Sequence, residues 1–178
     1  MSKYYYLTAS LPMLHLGAPP PLTSREFLEM CERLMSPSDY EQIRLARLNS
    51  PEPARCRVDL LRRYQDAELG LRNELVRLRA KTRNVEPDRY VRRDALNPVW
   101  MGAAREISEQ DTPLKSELLL GEVLWRVVED LSAGHFFDLD LLAGYYLKLQ
   151  ILERKARFQV ETGQQNLVSI LSGDKKDG

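Results

Sequence analysis

Apolar positions recur at helical spacing along most of the chain, and nowhere do they alternate in the period-two pattern of a half-buried strand. Thr23 stands three residues before Glu26, the spacing of a capping box, and Phe27, Leu28, Cys31 and Leu34 follow as an apolar stripe. This predicts a helix of about 10 residues. Ser36-Pro37 repeats the signal as a cap with a first-turn proline, and Tyr40, Ile43, Leu45 and Leu48 line a second helix that ends before Asn49-Ser50-Pro51. The two make a helical hairpin. Pro53 opens what reads as the longest element, with Leu60, Tyr64, Ala67, Leu71, Leu75 and Leu78 at spacings of four and three, interrupted by Gly70. A seam this narrow predicts a long helix that packs on one or two partners and is free to project.

Residues 84–98 carry Pro87, Pro98 and the basic pair Arg92-Arg93, and read as a connector with one helical turn near Tyr90. Val99 to Ile107 is a short helix. Asp111-Thr112-Pro113 restarts the pattern, and Leu120, Val123, Leu124, Val127 and Leu131 form a wide apolar face. Ser132-Ala133-Gly134 stops that helix and Asp138 caps the next, whose seam runs through Leu142, Tyr145, Leu149, Leu152 and Ala156 to about Gln159. Gly163 is expected to break it before a short apolar segment at Asn166 to Leu171. The expected fold class is all-α, with helical hairpins forming two lobes and a long helix in each. Residues 1–83 are the first lobe, 84–98 the connector, 99–172 the second lobe and 173–178 a disordered charged tail.

The leader, residues 3–22, is irregular or only briefly helical, because Pro12 and Pro19-Pro20-Pro21 interrupt it. Lys3 and Tyr4-Tyr5-Tyr6-Leu7 are followed too soon by Thr8, Ser10 and Pro12 for a secretory core, so no cleavable signal is expected. No run of about 18 apolar residues occurs, so no membrane span is expected either. Adjacent tyrosines cannot all face one side. One or two of the three anchor the core, and Tyr4 and Tyr5 are also candidate partner contacts.

The 178 residues balance 26 Lys+Arg against 26 Asp+Glu, a zero net charge that argues against a general polyanion binder. The balance is uneven along the chain: residues 1–53 sum to −1, 54–83 to +5 and 84–178 to −4. Exposed i,i+4 pairs such as Asp59–Arg63 and Glu68–Arg72 account for much of the basic stretch. Arg72, Arg77, Arg79 and Arg83 are the candidate docking stripe for an acidic partner. That helix has no interleaved aromatics and no nucleic-acid-binding motif.

Cys31 and Cys56 form no C-x-x-C, so neither a zinc knuckle nor a redox dithiol is indicated and a reducing cytoplasm is the expected setting. Phosphate-cradling glycine motifs are absent from the sequence. His15 lies in the leader. His135 with Asp138 and Asp140 has the residue types of a metal site, but at a helix start Asp138 reads as a cap and Asp140 as a first-turn acid. Neither histidine stands in a Glu-x-x-His pair, which excludes a di-iron carboxylate centre. Glu106 with Glu109, and Glu117 with Glu122, read as surface acids of amphipathic helices. No enzyme, cofactor or metal is expected.

The run from Lys3 to Leu14, then Pro20-Pro21 and Glu26-Phe27-Leu28-Glu29-Met30-Cys31, resembles an uncharacterised bacterial family encoded among the subunits of V-type (A-type-like) rotary ATPases. Tyr145 to Arg154 and Asn166 to Gly173 are similar in style to that family and, more distantly, to the socket-forming component of those ATPases. In that component, three helical lobes form a socket for the central stalk and rest on the membrane rotor ring; this chain is about half as long. The resemblance implies a non-catalytic, cytoplasmic assembly or coupling subunit that binds central-stalk and membrane-ring subunits, without nucleotide or nucleic acid. A free-standing helical adaptor is the alternative.

Overall fold

Local signals define most helix ends before packing acts. In the computed structural model, residues 4–49, 56–87, 89–92 and 98–173 are described, with side chains as far as Phe158 in the last helix. Helix α1 (Tyr5–Ser10) is a short piece of the leader. Helix α2 (Ser24–Leu34) opens on a complete capping box, with Thr23 Oγ1 accepting from the Glu26 amide and Glu26 accepting from the Thr23 amide. Helix α3 (Pro37–Arg44) starts from Ser36, whose hydroxyl accepts from the Asp39 amide. Helix α4 (Asp59–Arg83) ends on Asn84, which takes the left-handed conformation so that the last carbonyls are closed by the Asn84 and Val85 amides.

After a 3-10 turn at Pro98–Trp100 come α5 (Met101–Ser108) and α6 (Pro113–Ser132), the latter capped by Thr112. Gly134, at φ +86°, turns the chain into α7 (Leu139–Gly173). Asp138 caps this helix by accepting from the Leu141 amide at 2.9 Å. No strand occurs among the described residues, and the chain is all-α.

Helix α7 is the spine. Against one side α6 runs antiparallel, as the contacts Ser132 to Gly144, Gly121 to Ile151 and Glu117 to Arg154 show. Helix α4 runs parallel to α7, with Leu60 beside both Asp140 and Gly144, and it packs on α5 and α6 as well. The other side of α7 carries the N-terminal segments. Phe27 stacks on Tyr145 and Tyr146, with centroids 5.3 Å away in both cases. The Tyr145 hydroxyl donates to the Pro12 carbonyl, and Gln150 bonds both the Ala46 carbonyl and the Leu48 amide. Glu153 accepts from the amide and hydroxyl of Ser24 at the start of α2.

Several expectations change. The longest helix is α7, with 35 residues against 25 in α4. Helix α7 continues through Gly163, because a lone glycine costs a helix only about 1 kcal/mol and neither a cap nor a proline accompanies it. Helix α4 begins at Asp59 and not at Pro53, since Cys56 to Val58 are non-helical.

Nor does α4 project: Leu60, Leu61, Tyr64, Leu71 and Leu75 are buried, as are the polar Gln65, Glu68, Asn73 and Glu74. Buried residues from both sides of 84–98 belong to one hydrophobic core, so that connector does not separate two cores. The turn expected near Tyr90 is present, its amide bonding the Pro87 carbonyl. Of the expected tail, Gly173 belongs to α7 and 174–178 lie outside the described residues.

Gly144 sits where three helices meet. A Cβ there would lie 2.5 Å from Ser132 Oγ, 3.2 Å from a Leu60 methyl and 3.4 Å from a Val128 methyl, whereas at Gly121 it would meet only Ile151 at 3.7 Å. Gly144→Val is therefore expected to cost about 1–3 kcal/mol by overpacking. Gly121→Ala is expected to gain about 0.5–1 kcal/mol from helix propensity. Urea denaturation of the two variants beside the parent checks the opposite signs.

Candidate functional site

The four arginines of the expected stripe divide into two pairs with different environments. Arg72 Nε lies 2.6 Å from Glu68, and its guanidinium also donates to the Asn49 side chain. Arg77 is ion-paired with Glu74. Both glutamates are buried, at 4% and 7% exposure, so these arginines neutralise charges inside the fold. Burial pushes the Glu68 carboxyl above its ordinary value, and the Arg72 hydrogen bond pulls the other way. Arg79 and Arg83 are exposed and make no ion pair among the described residues. Of the exposed pairs expected on α4, Glu68–Arg72 forms, while Asp59 pairs with Arg62 at 2.7 Å in place of Arg63.

Arg72 and Arg79 face a cleft of about 750 Å³ that Glu68, Asn73, Tyr90 and Arg92 also line. Asn73 helps to hold its far wall. The Asn73 amide donates to the Arg92 carbonyl at 2.6 Å and accepts from the Arg92 amide at 3.1 Å, so it pairs with the connector backbone as a neighbouring strand would. Asn73 reads in the sequence as one more polar residue of a solvated face, and no local signal marks this clamp.

The tyrosines separate as adjacent residues must. Tyr4 is buried and its hydroxyl donates to Asp39, which removes it from any docking surface. Asp39, itself buried, also accepts from the Ser36 hydroxyl and pairs with Arg57, joining the leader, α3 and the approach to α4. Tyr5 and Tyr6 are exposed, and Tyr5 lies 4.8 Å from the Phe137 ring of the α6–α7 turn. The structure thus brings Arg72 and Arg79 to one cleft and places Tyr4 in the core.

His135, Asp138 and Asp140 do come together, with ligand-type atoms within 4.8 Å of one another. Each has a structural task. His135 Nδ1 lies 2.6 Å from Asp138 Oδ2, and Asp138 Oδ1 caps α7. Asp140 Oδ1 accepts from the Leu60 amide at 2.8 Å, supplying the cap that Val58 cannot. Two helix N-termini point at this cluster, and their positive ends favour carboxylates and oppose a cation.

Cys31 and Cys56 are free and buried, and burial pushes Cys31 up to about 12 and Cys56 upward too, opposite to what a nucleophilic thiolate needs. No protein-family model matches this chain, no curated protein matches it, and no solved structure matches it.

Removing the Tyr4 hydroxyl leaves the buried Asp39 short of one donor. Tyr4→Phe is expected to lower stability by about 1–3 kcal/mol, whereas Tyr6→Phe, at an exposed position, is expected to lie within about 0.5 kcal/mol of the parent. Thermal and urea unfolding of both variants checks the contrast.

The hydrogen bond to Asp138 raises the His135 pKa above its ordinary value, with burial acting against it. A raised pKa means that the folded state holds the proton more tightly. The associated stability is therefore present below about pH 6.5 and is lost as the pH rises through the folded-state value. His135→Gln is expected to remove that part of the pH dependence, an effect below about 1 kcal/mol for so exposed a pair. Urea midpoints between pH 5.5 and 8.5 read it.

Proposed function

We propose that the chain is a non-catalytic assembly or coupling subunit of a bacterial V-type ATPase, linking the central stalk to the membrane rotor ring in the manner of the socket-forming component. One observation supports this above the rest. Three of the separate stretches that carry the resemblance, Lys3 to Leu14, Glu26 to Cys31 and Tyr145 to Arg154, meet in the fold: Phe27 stacks on Tyr145 and Tyr146, and the Pro12 carbonyl accepts from Tyr145. These stretches therefore belong to one folded unit built around α7, as such a subunit requires.

Partner contact then falls to Arg79 and Arg83, with Tyr5 and Phe137 as an exposed aromatic pair at the turn between α6 and α7. No helix among the described residues is long and apolar enough to cross a membrane, so attachment to the ring would run through protein partners. Arg72 and Arg77 are anchors of Glu68 and Glu74, and reversing their charge would test folding before docking.

Native affinity purification from the organism of origin, followed by mass spectrometry, is expected to recover central-stalk and ring subunits with this chain. An Arg79→Glu/Arg83→Glu variant with an unchanged melting temperature is expected to recover less of them than the parent at low salt, with the gap closing as salt screens the charges. Recovery of a stable partner set without any ATPase component would instead identify a free-standing adaptor.

A further inference from the structure

Beside the cleft on α4, and sharing Asn49 with it, lies a second groove of about 600 Å³ between the end of α3 and the outer face of α7. Three arginines line it: Arg47 from the segment after α3, and Arg154 and Arg157 from α7. The acid among its lining residues is Glu153, and that carboxylate is already bonded to the Ser24 amide and hydroxyl. Arg154 is paired outward with Glu117 on α6. Arg47 and Arg157 are exposed and make no ion pair among the described residues. Leu48, Tyr146 and Phe158 are the apolar part of the lining, with the Phe158 ring 5.8 Å from the Arg154 guanidinium.

We infer that this groove binds an acidic, amphipathic helical segment of a partner protein. Carboxylates along one face of that segment would meet Arg47 and Arg157, and an apolar side chain beside them would cover Phe158. Guanidinium groups are suited to this because their forked donors bind carboxylates in pairs. The apolar lining and the small number of cations argue against a phosphate backbone, which needs many cations and gains nothing from apolar contact. The zero net charge of the chain points the same way. What this surface recognises is a separate matter from the ATPase assignment, which concerns the assembly the chain serves.

The test uses the full-length protein and fluorescence anisotropy, with no ATPase component present, so its outcome is independent of that assignment. The probe is a fluorescein-labelled peptide of about 14 residues with Glu at i,i+4 positions and Leu on the adjoining stripe. The parent is expected to bind it in a salt-sensitive manner. Arg47→Glu/Arg157→Glu is expected to weaken binding about tenfold or more. Arg105→Glu/Arg126→Glu, on exposed positions outside the groove, is expected to leave binding within about twofold of the parent.

A matching peptide with Lys in place of Glu guards against simple misfolding: the groove variant is expected to bind it better than the parent does. No binding of the Glu peptide by the parent, equal losses in the two double variants, or failure of the Lys peptide to gain would overturn the proposal. Tighter binding of labelled single-stranded DNA than of the Glu peptide would overturn it in favour of nucleic acid.

Discussion

The start of α4 depends on a carboxylate eighty positions away. Val58 precedes the helix and offers no side-chain acceptor, so the Leu60 amide is satisfied by Asp140 from the first turn of α7. That bond sets the register of two parallel helices. One turn further along, Gly144 lets Leu60 approach the α7 backbone closely. Parallel helices place two positive ends together, a repulsive arrangement by itself, and Asp59, Asp138 and Asp140 gather where that potential is highest. The acids that resemble a metal site are what allows α4 and α7 to lie side by side.

Helix identity was legible because its signals are short-range. The capping box of Thr23 and Glu26, the Ser36-Pro37 and Thr112-Pro113 starts and the Asp138 cap all act within one turn, and all occur in the structure. Longer-range features were not legible. A periodic seam shows which residues face a neighbour, but not whether polar residues beside the seam are covered too. Gln65, Glu68, Asn73 and Glu74 are buried because α4 is flanked by α5, α6 and α7, a fact of topology that no window of its own sequence contains.

The same limit applies to charge. Summing residues 54–83 to +5 treats each side chain as free, yet Arg57, Arg62, Arg72 and Arg77 are each held by a carboxylate. What remains for recognition is smaller and differently placed, at Arg63, Arg79, Lys81 and Arg83 on α4 and at Arg47 and Arg157 elsewhere. The arginines of the groove come from segments that a linear charge count assigns to neutral or acidic stretches. Only the packing of the α3 end against α7 brings them together.

The reliance of the N-terminal segments on α7 also bears on how the chain is made. Ser24 and Pro12 find their partners at Glu153 and Tyr145, 129 and 133 positions later, and Phe27 finds its own at Tyr145 and Tyr146. At about 5–20 residues per second, the α2 stripe waits on the order of 10 seconds before the surface that covers it exists. The apolar face of α2 therefore stays without its main partner until α7 has been made, and the N-terminal segments close onto the fold only then.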